Sequence, residues 1–253
     1  MTARVIVTGG GDSIGRAIAE NFCHKDGRVF ICDMDKANLV ATLESNPGME
    51  GELANLGSAD GTNTFFDAAL NALGGCDVLV NTVGAGGPRA LVEDIELDEW
   101  HATFAANVDA TLIGMQKVVP GMKIERSGSI VNISSASTKT GMVARSAYVA
   151  AKCAVEGLTR NAARELGEYG IRCNAVLPGI IDNARMRSVV AAVARDEGVS
   201  AEDMESRFLK FVSTRSKVST GEVAGLVDYL CSSAAQNITG QTISIDGNLE
   251  WEA

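Results

Sequence analysis

Short runs of β-branched and apolar residues alternate with longer helix-patterned segments along the whole chain, and few folds accept that rhythm. Strand-like runs stand at residues 5–8, 28–32, 50–54, 78–81, 129–134, 172–177 and 242–245. Helical patterns lie between them at 14–24, 63–73, 97–119, 147–169 and 222–232. Most of these runs, 5–8 and 78–81 among them, are near-continuously apolar, which marks strands covered on both faces. Parallel strands need a crossover of about a dozen residues, and a helix supplies it. Right-handed crossovers then leave a doubly wound, Rossmann-type α/β sheet of about seven strands flanked by helices. No linker, repeat or low-complexity tract divides the 253 residues, so one domain over 1–253 is expected. Only residues 183–218 break the beat, with helical stretches at 186–197 and 201–212. An excursion after the C-terminal end of a strand lies where such sheets bind ligands. It is read as a substrate lid, with a helical pair used for packing or subunit contact as the alternative.

Charge narrows the partners. With 22 basic and 32 acidic residues the net charge is −10, which argues against nucleic acid or an anionic membrane surface. No apolar run approaches the roughly 20 residues of a membrane span. The first strand starts by Arg4–Val5, leaving no room for a signal peptide, and a cytoplasmic location is expected. The six cysteines form no C-x-x-C pair and read as buried free thiols. His24 and His101 are the only histidines, so neither a metal centre nor a Ser-His-Asp hydrolase is expected.

The first strand runs into "TGGGDSIG", Thr8–Gly15. Gly9 lets the chain turn out of the strand, and Gly15 lets the next helix pack close to it. Backbone N–H groups near Ser13 and Ile14 then face a pyrophosphate, helped by the helix dipole. Asp33, ending the second strand, is placed to grip the adenosine ribose hydroxyls. Asp33 and Asp12 would both repel a 2′-phosphate, and neither the loop nor positions 33–35 offers a cation to hold one. These charges favour NAD over NADP.

"YVAAK" places Tyr148 and Lys152 four residues apart, on one helix face and one turn from each other. A free phenol titrates near about 10, too high for a base at neutral pH. An adjacent ammonium and a cationic nicotinamide both favour the phenolate, which suits it to take a proton from an alcohol.

From Arg4 to about Asn248 the chain resembles the short-chain dehydrogenase/reductase family. "TGGGDSIG" resembles its glycine turn, "NTVG" (81–84) its segment after the fourth strand, and "GSIVNISS" (128–135) its fifth strand. "YVAAK" is similar to its Tyr/Lys pair, "PGII" (178–181) to its nicotinamide loop, and "ITGQTISIDG" (238–247) to its closing strand. The resemblance implies hydride transfer between a secondary alcohol or ketone and a nicotinamide. In it Tyr148 is the acid/base, and Lys152 assists it and bonds the nicotinamide ribose. Ser135, rather than Ser134, orients the substrate oxygen, and Asn107 holds a water that relays protons. It also implies cofactor contacts at Met34, Leu56, Asn81, Val83, Pro178 and Ile181. Three positions depart from the family pattern. Ser13 replaces the middle glycine of the turn, Asn55 an aspartate facing the adenine, and Asn183 a threonine anchoring the carboxamide.

Arg145 stands three residues before Tyr148 near the pocket mouth, Arg89 follows the fourth strand, and Arg185 and Arg187 open the lid. They suit a small polar or anionic hydroxy compound, unless Glu93, Asp94, Asp182 or a neighbouring subunit pairs with them. Met186 and Phe208 either line an apolar pocket or pack in the core. The leading expectation is an NAD-dependent alcohol dehydrogenase or ketone reductase. The alternatives are an NADP-dependent carbonyl or 3-oxoacyl reductase and a non-catalytic dinucleotide-binding regulator. The resemblance implies a homotetramer built through helices 97–119 and 147–169, with Trp251 near a subunit contact or in an exposed tail.

Overall fold

The computed structural model describes residues 2–250. Seven strands form one sheet: β1 Arg4–Thr8, β2 Arg28–Asp33, β3 Glu50–Leu53, β4 Val78–Asn81, β5 Gly128–Ile133, β6 Ile171–Pro178 and β7 Thr242–Ile245. Their spatial order is β3-β2-β1-β4-β5-β6-β7, and every pairing is parallel. Around them lie α1 Ser13–Cys23, α2 Lys36–Ser45, α3 Ala59–Leu73, α4 Leu97–Phe104 and α5 Ala110–Glu125. They are followed by α6 Ser137–Thr140, α7 Ser146–Leu166, α8 Ala184–Glu197, α9 Ala201–Leu209 and α10 Thr220–Cys231. The doubly wound Rossmann sheet expected from the strand rhythm is the one observed.

The period of two along each strand divides the core into two layers. Val5, Val7, Ile31 and Val131 pack with Ile18 of α1 and Val223 and Val227 of α10. Ile6, Phe30, Leu79 and Ile130 face the other way, against Phe65 and Phe66 of α3 and Met115 and Met122 of α5. Each such side chain taken fully from water contributes about 1.5–3 kcal/mol before entropy is counted.

Strand order reverses between β1 and β4, so a crevice opens beyond their C-terminal ends. Thr8 ties its two lips together, because its hydroxyl oxygen accepts from the N–H groups of Thr82 (3.0 Å) and Val83 (3.2 Å). The excursion over 183–218 contains α8 and α9, which form a small core of their own from Val190, Ala194 and Met204.

Three local expectations change. The helix expected over 97–119 is α4 and α5 joined by a π-helical turn, Ala105–Asp109. Helix α2 has only Leu39 and Thr42 buried, so it lacks the apolar stripe that would announce it. It starts instead at its cap, where the Asp35 carboxylate accepts from Ala37 and Asn38 N–H. All six cysteines are free, but Cys153 is exposed on α7 because its side of that helix faces solvent.

Candidate active site

Sterics dictate the glycine turn. A Cβ on Gly15 would lie 1.9 Å from the Gly9 carbonyl oxygen, and one on Gly10 2.6 Å from Ile31, so both positions exclude any side chain. Gly9 itself has φ +63°. Ser13 also adopts a left-handed φ, +50°, which costs a non-glycine residue roughly 1–2 kcal/mol. Asp12 precedes α1 without a side-chain cap, so the first-turn N–H groups of that helix are not claimed by the protein's own side chains there. Bare donors, a close backbone approach and the helix dipole together suit a pyrophosphate. Asp33 is fixed beside the turn, accepting from Gly11 N–H (3.1 Å) and Asp35 N–H (2.9 Å).

Lys152 and Tyr148 project from α7. Lys152 is 4% exposed, and its Nζ donates to the Ile133 carbonyl at 2.9 Å, fastening it to the end of β5. The ammonium lies 5.8 Å from the Tyr148 ring centroid. Burial, and secondarily the charge of Arg185, lowers the Lys152 pKa from 10.5 to about 8. Asn107 sits in the π-helical turn, a distortion that often marks functional positions in helices. Its amide donates to the carbonyls of Ala85 (2.9 Å) and Thr103 (2.8 Å), while its buried Oδ1 has no partner. A Cβ on Gly84 would fall 2.5 Å from that Oδ1 and 2.9 Å from Lys152 Nζ, so the two polar atoms converge on one side-chain-free spot.

Ser134 and Ser135 separate cleanly. The Ser134 hydroxyl is buried and donates to Glu156 at 2.7 Å. Ser135 Oγ accepts from Ser137 N–H (3.2 Å) and Ser137 Oγ–H (2.9 Å), which leaves its own proton free to donate elsewhere. Ser137 was not legible as a site residue; its only sequence signal is a hydroxyl two positions after Ser135.

The remaining candidates scatter more widely. Asn81 is buried and bonds Asn132 of β5 at 2.8 Å, so it braces the sheet. Leu56 is a core residue, Val83 is half-buried against the same core, and Met34 is exposed. The exposed Asn55 turns its Oδ1 onto Gly57 N–H. Pro178 closes β6, and Ile181 is buried, bridging to Val218. Met186 packs with the lid's apolar residues, Phe208 among them. Asn183 caps α8 through Met186 N–H (2.8 Å) and also donates to Ser13 Oγ at 2.7 Å. Two of the three departures from the family pattern therefore touch each other. Arg187 pairs with Asp182 at 3.0 Å. Arg89, Arg145 and Arg185 form no ion pair with any described residue. Trp251 lies outside the described residues.

A doubly wound sheet with a bare glycine-rich turn at its reversal point, and a buried lysine beside a half-buried tyrosine on α7, is the arrangement of a dinucleotide-binding class of protein. A family model described as Enoyl-(Acyl carrier protein) reductase matches residues 9–249. The 3-oxoacyl-(acyl-carrier-protein) reductase FabG of Staphylococcus epidermidis is 31% identical, over 98% of this chain and 99% of that protein. The crystal structure of an actinorhodin polyketide ketoreductase variant with NADPH superposes with a TM-score of 0.93 at 29% identity, covering 98% and 97% of the two chains. An NAD+-bound xylitol dehydrogenase gives 0.89 at 26% identity, covering 96% and 97%. The chain belongs to the short-chain dehydrogenase/reductase family, and is an oxidoreductase of the nicotinamide-dependent kind.

Proposed function

We propose that this protein is an NAD-dependent dehydrogenase or ketone reductase acting on a secondary alcohol or its ketone. The observation that carries the reading is the buried Lys152 ammonium beside Tyr148, with the unpartnered Asn107 Oδ1 facing it across Gly84. The glycine turn would hold the pyrophosphate, Asp33 the adenosine ribose and Lys152 the nicotinamide ribose. Bound nicotinamide supplies the hydride acceptor, or the donor in the reverse direction.

The protein's residues handle the proton. Ser135 donates its free O–H to the substrate oxygen and sets it against Tyr148. The Tyr148 phenolate takes the hydroxyl proton as the alcohol carbon is oxidised, and its phenol returns it in reduction. Lys152 stabilises the phenolate by charge, and the convergence of its Nζ with Asn107 Oδ1 suits a bound water that passes the proton outward.

Charge supports NAD. Asp33 is fixed beside the glycine turn, Asp12 is exposed in the turn, and Arg16 is committed to Glu20 at 2.7 Å. The likeness to FabG and to a ketoreductase with NADPH supports an NADP-dependent 3-oxoacyl or carbonyl reductase as the second reading. In that case Lys36, which has no ion-pair partner among the described residues, would meet the 2′-phosphate.

A spectrophotometric screen of hydroxy acids, polyols, cyclic alcohols and steroids with NAD+ and NADP+ tests both. Tyr148→Phe is expected to lower kcat at least about 10³-fold while leaving NADH affinity within twofold; undiminished turnover would overturn the mechanism. NAD+ is expected to be preferred at least about tenfold, and Asp33→Asn to narrow that margin. A wild-type preference for NADP+ would remove the charge argument.

A further inference from the structure

Three guanidinium groups, those of Arg89, Arg145 and Arg185, gather at the Tyr148 end of α7 with no ion-pair partner among the described residues. Arg145 immediately precedes α7, three residues and so about one turn before Tyr148. Its Nη1 donates to the carbonyls of Gly86 (3.0 Å) and Gly87 (3.2 Å), which pins the guanidinium to the loop after β4. A Cβ on Gly86 would lie 3.4 Å from Arg145 Nη1 and 2.7 Å from Arg185 Nη2, so two arginines from distant segments meet over one glycine. Arg89 belongs to the same loop, which is bridged to the α7 entry at Ala90 and Arg145.

The local field is strongly positive in a chain whose net charge is −10. Burial lowers the Arg145 pKa, and the charges of Arg89 and then Arg185 lower it further; no carboxylate acts on it. Arg185 bears on Lys152 as well. Neither α7 nor α8 carries an acidic residue in its first turn, so both helix dipoles add to the positive potential. Elsewhere in the lid, Arg187 pairs with Asp182, Arg207 with Glu197, and Lys217 with Asp182 and Glu205. Converging, unpaired guanidinium groups one turn from the reacting phenol call for an anion, and the planar fork of arginine matches an oxyanion.

We propose that Arg89, Arg145 and Arg185 bind an oxyanion carried by the substrate, carboxylate or phosphate. The alcohol or ketone is then a small hydroxy or oxo acid, or a phosphate ester. This rests on the oxidoreductase reading for its substrate. The anion site itself is measurable by binding alone. Arg145 fixes the anion about one helical turn from Tyr148, and Arg185 brings the lid onto it.

The test is calorimetric titration of the full chain saturated with NADH, or with NADPH should only that bind. The probes are two-, three- and four-position hydroxy acids of three to six carbons against their methyl esters, and glycerol 3-phosphate against glycerol. Hydroxy compounds do not turn over on reduced cofactor, so binding is read without chemistry. At least one anion is expected to bind about 10- to 100-fold tighter than its neutral counterpart. Arg145→Gln should cut that margin below about threefold with cofactor affinity held within twofold. Arg89→Gln, which removes no hydrogen bond that holds the fold, should cut it about three- to tenfold. A carboxylate or a phosphate preference identifies which oxyanion is bound, and either supports the site. Anion and neutral probes binding alike would overturn it. Equal loss of NADH binding in Arg145→Gln would also overturn it, by assigning the arginine to the cofactor. Tyr148-dependent turnover of neutral alcohols without anion preference would defeat this inference and leave the oxidoreductase reading standing. Anion binding without turnover of any probe would do the reverse.

Discussion

Lys152 holds its buried position at a cost in stability. The buried amine titrates near about 8, whereas the unfolded chain holds that proton to near 10.5. Between those values the unfolded state binds more protons, so the contribution of Lys152 to stability rises with pH across that window and is constant and unfavourable below it. Lys152→Met is therefore expected to raise unfolding stability at pH 7 by about 1–3 kcal/mol while abolishing turnover. The gain should shrink toward zero by about pH 10.5. Urea midpoints of both proteins between pH 7 and 10.5 check this; a gain independent of pH would show that the lysine is not buried as a cation. At this scale the sequence singles out side chains whose own chemistry suggests a role, and the structure brings Tyr148 and Lys152 together and sets Asp33 beside the glycine turn. The sequence is silent where a residue acts through a neighbour. Ser137, whose two donors turn Ser135 outward, carries no signal of its own.

Among elements, α1 and α8 start 171 positions apart and meet through the hydrogen bond from Asn183 Nδ2 to Ser13 Oγ. Each residue makes sense only with the other. Ser13 accepts a left-handed backbone that glycine would hold without strain, and in return supplies an acceptor to the lid. Ser13→Gly should raise global stability by about 1 kcal/mol and at the same time speed amide exchange in the first turns of α8 at least about threefold. Asn183→Ser keeps the α8 cap but is too short to reach Ser13, and should produce the second effect alone. Exchange in α8 unchanged in both variants would show that this bond does not hold the lid. The strands and the longer helices were legible because each has an apolar period that only one structure satisfies. The π-helical turn at Asn107 was not, since 97–119 carries an unbroken helical pattern and the bulge arises from fitting Asn107 between Ala85 and Thr103. Pairing of Ser13 with Asn183 was equally hidden, because both registered only as single departures from a family pattern.

For the whole molecule, we propose a homotetramer joined through the long helices. Leu97 and Leu112 stand 69% and 39% exposed on α4 and α5, apolar surface that a partner copy would cover. Light scattering is expected to give about four times the 26.4 kDa chain mass, and Leu97→Glu with Leu112→Glu to lower it. A wild-type monomer would refute the assembly. No helix among the described residues is long and apolar enough to cross a membrane.

Helix α8 has one further consequence. Its start carries, two residues apart, the contact from the cap Asn183 to the glycine turn and the guanidinium of Arg185, which has no ion-pair partner among the described residues. A rigid element gripped at both points would link the two proposed ligands thermodynamically. Whatever factor the dinucleotide adds to the affinity of an anion, the anion must add to the affinity of the dinucleotide. Such reciprocity would hold whichever ligand binds first, so a single coupling factor measured in one order of addition must reappear in the other.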